Sequence, residues 1–329
     1  MKATWRRLLL TGLVCGLCAA GAQTAPALAA PGGSGSAVLG KDPDGSIPPA
    51  GSDDWSCLPT RAHPRPVVLV HGTWGNQNDW DVLAPRLKAE GYCAFSLNYG
   101  RDASSVLGAL PGMYATGDIP TSADELAAFV DRVRAAPGAA RVDRVGHSQG
   151  ALVSRQYVRF GGGADKVAHL VSLAGTNHGS TMRGVATQLP PGVAAAFPTV
   201  LTPVAGIAAA QQLVGSEFLR ALNADGDTEP GIDYTVIAST RDDASTPPQA
   251  TFLQAGPGAT VDNVWVQDFC PTDAFDHGTL PQSPTVGYLV ERALDPGYTG
   301  VAGEKPRATK SGGGGGGGWG GAGREGSEG

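Results

Sequence analysis

The chain has 329 residues, of which 16% are charged, and a formal net charge of −6. An acidic balance of this size gives no electrostatic reason to hold nucleic acid or an anionic membrane, so an uncharged partner is expected. Beyond the N-terminus no stretch reaches the ~20 apolar residues of a spanning helix, which argues against an integral membrane protein.

Lys2, Arg6 and Arg7 precede an apolar run from Leu8 to Ala20 and the small-residue site Ala27-Leu28-Ala29. That order is the signature of a signal peptide over residues 1–29, and it predicts a secreted, extracellular protein. Its removal takes away three positive charges and no acids, moving the net charge from −6 to −9. Residues 30–60, rich in Gly, Pro, Ser and Asp, read as an extended, exposed leader. In an oxidising compartment Cys57 and Cys93 can close a loop, which leaves Cys270 unpaired and expected as a small buried hydrophobe.

Residues 61–297 read as one catalytic domain in which strand and helix signals alternate. The apolar runs Val67–Val70, Tyr92–Leu97, Val142–Val145, Val167–Leu173, Tyr234–Ala238 and Val264–Val266 are expected strands, buried on both faces. Between them, Trp80, Leu83 and Leu87 share a helix face that Gly91 ends, and Ser122-Ala123-Asp124-Glu125 has the form of a capping box. This order predicts a doubly wound, mostly parallel α/β sheet of about six strands with helices on both faces. Residues 185–214 are unusually apolar and fit either a lid or acyl-binding wall or ordinary core helices. Residues 298–329, with seven consecutive glycines from Gly312 to Gly318, read as a disordered tail.

Gly146-His147-Ser148-Gln149-Gly150 has the Gly-x-Ser-x-Gly form, which in a chain with 49 glycines arises by chance about 0.4 times. The strand signal before it and the helix signal after it turn a weak match into a nucleophile elbow. Such a turn strains the serine backbone and needs a residue without Cβ on either side. A serine hydroxyl needs a base, and the base needs an acid to fix its tautomer. Among the histidines that follow Ser148, His169 lies inside an expected strand and His178 on the loop that follows it. His277 lies between the last strand and the last helix, where the base belongs in the order nucleophile, acid, base. Asp242 and Asp243 share the tip of the penultimate strand, and the residues alone hardly separate them. Asp273 and Asp276, on the same loop as the base, rank lower, and Asp225 and Asp227 read as solvated loop acids. Backbone N–H groups of Thr73 and Gln149 are the expected oxyanion donors. His71 braces the Thr73 loop, and Trp74 and His178 are placed on the substrate wall.

Taken with Asp54-Trp55-Ser56-Cys57, Pro66 to Thr73, Gly91-Tyr92-Cys93, Leu97 to Gly100, Gly175 to Gly179 and Asp276-His277, these motifs resemble the secreted lipases of actinobacteria within the class 2 lipase family. The resemblance covers nearly all of residues 54–294. It implies an α/β-hydrolase fold, a Ser148, Asp243 and His277 triad acting on carboxylic esters, a Cys57–Cys93 disulfide, and neither metal nor cofactor. It favours a triacylglycerol substrate; a monomer is expected. On that assignment Asp243→Asn abolishes activity and Asp242→Asn does not. Ala208-Ala209-Ala210 stand where the family commonly carries cysteines, so the disulfide that would engage Cys270 is expected to be missing. Asp242 stands where the family usually has an aromatic. Transfer of the acyl group to an alcohol, polyester cleavage, and a hydrolase-fold protein that binds without turnover are the competing readings.

Overall fold

The computed structural model describes residues 42–302, so the expected signal peptide and the glycine run lie outside the described residues. Six strands form one sheet: β1 (Val67–Val70), β2 (Ala94–Leu97), β3 (Val142–His147), β4 (Val167–Leu173), β5 (Asp233–Ala238) and β6 (Thr260–Trp265). Their order is β2-β1-β3-β4-β5-β6 and every pair is parallel. The helices are α1 (Leu83–Ala89), α2 (Ile119–Ala135), α3 (Gln149–Phe160), α4 (Val185–Gln188), α5 (Pro191–Ala205), α6 (Ile207–Gln211), α7 (Glu217–Leu222), α8 (Val266–Phe269) and α9 (Pro284–Leu294). None of them is long and apolar enough to cross a membrane.

Alternation along each strand divides the core into two layers. From β1, Val68 and Val70 face a cluster with Leu126, Val130 and Val133 of α2 and Leu152, Val153 and Tyr157 of α3. Val67 and Leu69 face the opposite cluster, with Leu83 and Leu87 of α1 and Val286, Leu289 and Val290 of α9. α1 and α9 are also clamped by a buried bidentate pair, Arg86 Nε and Nη2 donating to the two Glu291 oxygens at 2.6 Å each.

Several expectations shift. β6 begins four residues before the expected Val264, because its edge position leaves Thr260, Asp262 and Asn263 exposed and hides it from an apolar scan. α2 starts at Ile119, capped by Asp118, whose carboxylate accepts Thr121 N–H at 3.1 Å. Ser122 is therefore inside the helix, its hydroxyl donating back to Asp118 O, and Glu125 accepts Gly100 N–H instead of closing a capping box.

The stretch 42–60 is largely exposed, yet it is fastened to the domain. Asp53 N–H donates to Ala94 O, Ser52 bridges Ala94 in parallel sense, and Trp55 packs against Phe95 with ring centroids 4.9 Å apart. The Cys57–Cys93 disulfide fastens the same stretch to the start of β2. Cys270 is free and only half-buried, not a core residue.

Within the apolar segment 185–214, Ala208 of α6 joins the core, whereas α5 departs from a core role. Of the fifteen residues of α5 only Ala205 is buried, while Val193 and Val200 are 52% and 67% exposed. Its C-terminal end is anchored: Pro203 O accepts Val106 N–H, Val204 O accepts Leu107 N–H, and Ala205 O accepts the Trp74 indole N–H at 2.8 Å. These bonds satisfy carbonyls that the helix end would otherwise leave orphaned.

Candidate active site

The strand order reverses around β1, which has β2 on one side and β3 on the other, and crevices at the carboxyl ends of such strands are where ligands bind in open parallel sheets. Ser148 occupies this position, directly after β3 and at the N-cap of α3, with φ 54° and ψ −122°. A non-glycine residue with positive φ is strained, and the surrounding backbone must hold it there. The flanking glycines explain how. A Cβ on Gly150 would lie 2.1 Å from Val70 O, and one on Gly146 would lie 2.6 Å from the Gly150 backbone. Only bare backbone allows the strand and helix to meet this closely.

The Ser148 hydroxyl lies 2.9 Å from His277 Nε2, and His277 Nδ1–H donates to the Asp242 carboxylate at 3.0 and 3.1 Å. Ser148 and His277 are 129 residues apart in sequence, and the fold alone brings them together. The acid position expected from the resemblance is corrected: Asp242, not Asp243, faces the imidazole. Asp242 Oδ1 accepts the N–H groups of Ala244 and Ser245 at 2.9 and 2.8 Å, a turn that curls this side chain inward. Its neighbour Asp243 lines the Ser148 cavity without a hydrogen bond to the imidazole. The Asp242 side chain is 2% exposed against 42% for Asp243, which pairs with Arg183 through both its carboxylate and its backbone oxygen.

Ser148 and His277 open into a cavity of about 390 Å³ whose wall includes Thr73, Trp74, Met182, Gln212 and Leu213. Trp74 is thus on the wall as expected, itself at φ 59°. The second expected wall residue is not. His178 donates Nε2–H to Asp227 at 2.9 Å and Nδ1–H to Ala250 O at 2.8 Å, outside the Ser148 cavity. Both of its nitrogens face oxygen acceptors, an arrangement that favours the protonated ring, and the Asp227 bond raises its pKa. Asp227, expected as a solvated acid, is nearly buried; hydrogen bonds from His178 and Gln254 N–H outweigh burial and lower its pKa.

The Thr73 loop is braced from below. His71 is fully buried, stacks on Tyr99 at 4.6 Å and donates Nδ1–H to Gly72 O. Burial pushes its pKa down to about 4 and keeps it neutral. The Thr73 hydroxyl oxygen accepts from Gln149 Nε2 at 3.0 Å and Gln212 Nε2 at 2.9 Å. Gln212 went unrecognised in the sequence as a site residue, since nothing in a Gln-Gln pair at the end of a short helix marks one side chain as turned inward. Among the described residues no group of three or more His, Cys, Asp or Glu side chains is placed to hold a metal ion.

The family Lipase (class 2) matches residues 64–252, a span that includes Ser148 and Asp242 and ends before His277. A triacylglycerol lipase from Pseudomonas fragi is 30% identical over 120 residues, 36% of this chain and 36% of that protein, so the match spans about a third of the relative's length. Among solved structures, Aspergillus fumigatus lipase B superposes with a TM-score of 0.57 at 20% identity, covering 80% of this chain and 58% of that one. A Bacillus licheniformis lipase in its propeptide form gives 0.50 at 18% identity, covering 78% and 54%. At these identities the structural likeness is one of fold, the α/β-hydrolase fold.

Proposed function

The chain belongs to the class 2 lipase family, and on that premise we propose that it is a secreted serine hydrolase that cleaves carboxylic esters, triacylglycerols foremost, through an acyl-enzyme on Ser148. The observation that carries this reading is the continuous relay from the Ser148 hydroxyl through His277 to Asp242. His277 Nε2 takes the hydroxyl proton as Ser148 Oγ attacks the ester carbonyl, and the imidazolium so formed rests against the Asp242 carboxylate. The same nitrogen returns the proton to the leaving alkoxide. Water then repeats the sequence on the acyl-enzyme and releases the carboxylic acid.

The negative charge of the tetrahedral intermediate falls beside the N-terminus of α3, where the Gln149 backbone N–H has no partner within the helix. Thr73 supplies the second backbone donor. Its hydroxyl oxygen already accepts from Gln149 and Gln212, which leaves its own hydrogen to donate as well. Each such donor is worth ~3–4 kcal/mol of transition-state stabilisation in comparable sites.

A lipid substrate is favoured by the uncharged, exposed surface of α5, whose anchored end adjoins Trp74 on the cavity wall. The disulfide is in keeping with an extracellular protein. Hydrolysis of esters of increasing acyl length, with an emulsified triacylglycerol as the longest, tests the reading on the wild type and Ser148→Ala. Turnover of the emulsion that disappears in Ser148→Ala supports it. Turnover that survives Ser148→Ala removes the mechanism, and turnover confined to short soluble esters replaces lipase with esterase. Product analysis in the presence of an alcohol separates hydrolysis from acyl transfer.

A further inference from the structure

His147 is buried directly before the nucleophile, and the mechanism above gives it no part. Its ring lies 4.9 Å from that of His277, and its Nε2 is 2.9 Å from the His277 backbone oxygen. A carbonyl oxygen only accepts, so Nε2 carries the hydrogen, and the neutral ring has its lone pair on Nδ1. That nitrogen is buried with no polar partner among the described residues. It faces Gly72, where an added Cβ would come within 3.1 Å of it and 3.0 Å of Ser148 Cβ. The ring is thus wedged between the Thr73 loop and the loop of the base.

The loop of the base needs such a hold. Asp276, Gly278 and Thr279 are exposed, and the hydrogen bonds between Asp276 and Thr279 are local to it. His147 stands at the rigid end of β3, a strand paired on both sides. Resting on the proposed reaction, we propose that His147 is a positioning residue: its Nε2–H fixes the His277 carbonyl and so sets the base's ring between Ser148 and Asp242. Burial and the nearby His277 charge both hold the His147 pKa well below its usual value. It therefore stays neutral beside the imidazolium that forms during the reaction and does not repel it.

The test compares His147→Gln, His147→Asn and His147→Phe in the full chain. A glutamine amide nitrogen reaches the place of Nε2, whereas an asparagine amide nitrogen falls near Nδ1, away from the carbonyl. Misplacing a reacting group by about 1 Å costs on the order of 10²-fold, so Asn and Phe are expected to lower kcat on a soluble ester about tenfold or more while KM holds within about twofold. Glutamine should keep kcat within about threefold of wild type. In parallel, the low-field proton resonance of His277 Nδ1–H, read without substrate, should shift or broaden in Asn and Phe and persist in Gln. The proposal is overturned if Asn matches Gln in kcat, or if the resonance is the same in all variants. The Gln–Asn comparison stands even where Phe fails to fold. Absence of any Ser148-dependent hydrolysis in the wild type would remove the reaction itself, while the resonance would still report whether His147 orders the His277–Asp242 pair.

Discussion

Replacing Asp242 by Asn changes one atom of the carboxylate, and the structure says which way the amide must face. Oδ1 is held by two backbone N–H groups, from Ala244 and Ser245, so the asparagine oxygen stays there and the amide nitrogen takes the place of Oδ2. That place is 3.1 Å from His277 Nδ1. The oxygen that stays still accepts Nδ1–H at 3.0 Å, but the amide N–H beside it opposes that hydrogen and the imidazolium loses its countercharge, so the tautomer that offers Ser148 a lone pair is weakened. The same exchange of acid for amide in an unrelated Ser-His-Asp triad costs about 10⁴ in kcat, or about 5 kcal/mol. Asp243→Asn weakens only an exposed ion pair with Arg183, and its expected cost is under about threefold. Steady-state kinetics on a soluble ester, with thermal melting to show that both variants fold, decides the matter. Asp242→Asn retaining activity within about tenfold of wild type, or Asp243→Asn losing as much as Asp242→Asn, would refute the geometry.

Other consequences concern stability. The Cys57–Cys93 bridge spans 36 residues, a loop whose closure is worth about 4 kcal/mol; the Cys57→Ser/Cys93→Ser double variant should melt roughly 10 °C lower in a thermal scan. Glu291→Gln leaves the buried Arg86 guanidinium short of its countercharge and should cost about 3–5 kcal/mol by denaturant unfolding. His71, depressed to about 4 by burial, binds fewer protons folded than unfolded. Its contribution, about 3 kcal/mol, is present above the unfolded value near 6.5 and is lost as pH falls through about 4. Asp143, raised to about 6 by burial, works in the opposite sense over an overlapping range. The slope due to His71 is therefore read as the difference between wild type and His71→Gln in urea unfolding at pH 7 and pH 4.5.

Strands buried on both faces were legible because every residue in Val67–Val70 is apolar, and the elbow was legible because its glycines are sterically required. Edge strand β6 was not, since one flank of it meets solvent and its apolar residues no longer cluster. Chain order singled out the histidine that lies 2.9 Å from the Ser148 hydroxyl. The carboxylate that faces His277 was missed by one residue, because which of two adjacent carboxylates turns inward is set by the local hydrogen bonds of the turn, and composition does not record that. The same blindness to direction put His178 on the wrong side of its loop, where Asp227 and Ala250 hold it. The disulfide that fastens the end of residues 42–60 was expected, but their backbone pairing to Ala94 was not, since it has no periodic signature. The apolar composition of α5 was visible, but its exposure follows from what does not pack against it.

The attacking atom can be marked directly. Treated with an alkyl fluorophosphonate, the protein should lose fluoride from the reagent and gain one phosphonyl group, which peptide mapping by mass spectrometry places on Ser148; His277→Ala should label at least about 10²-fold more slowly. An adduct on any other residue, or an unmodified Ser148 in folded protein, would contradict the assignment on which the chemistry rests.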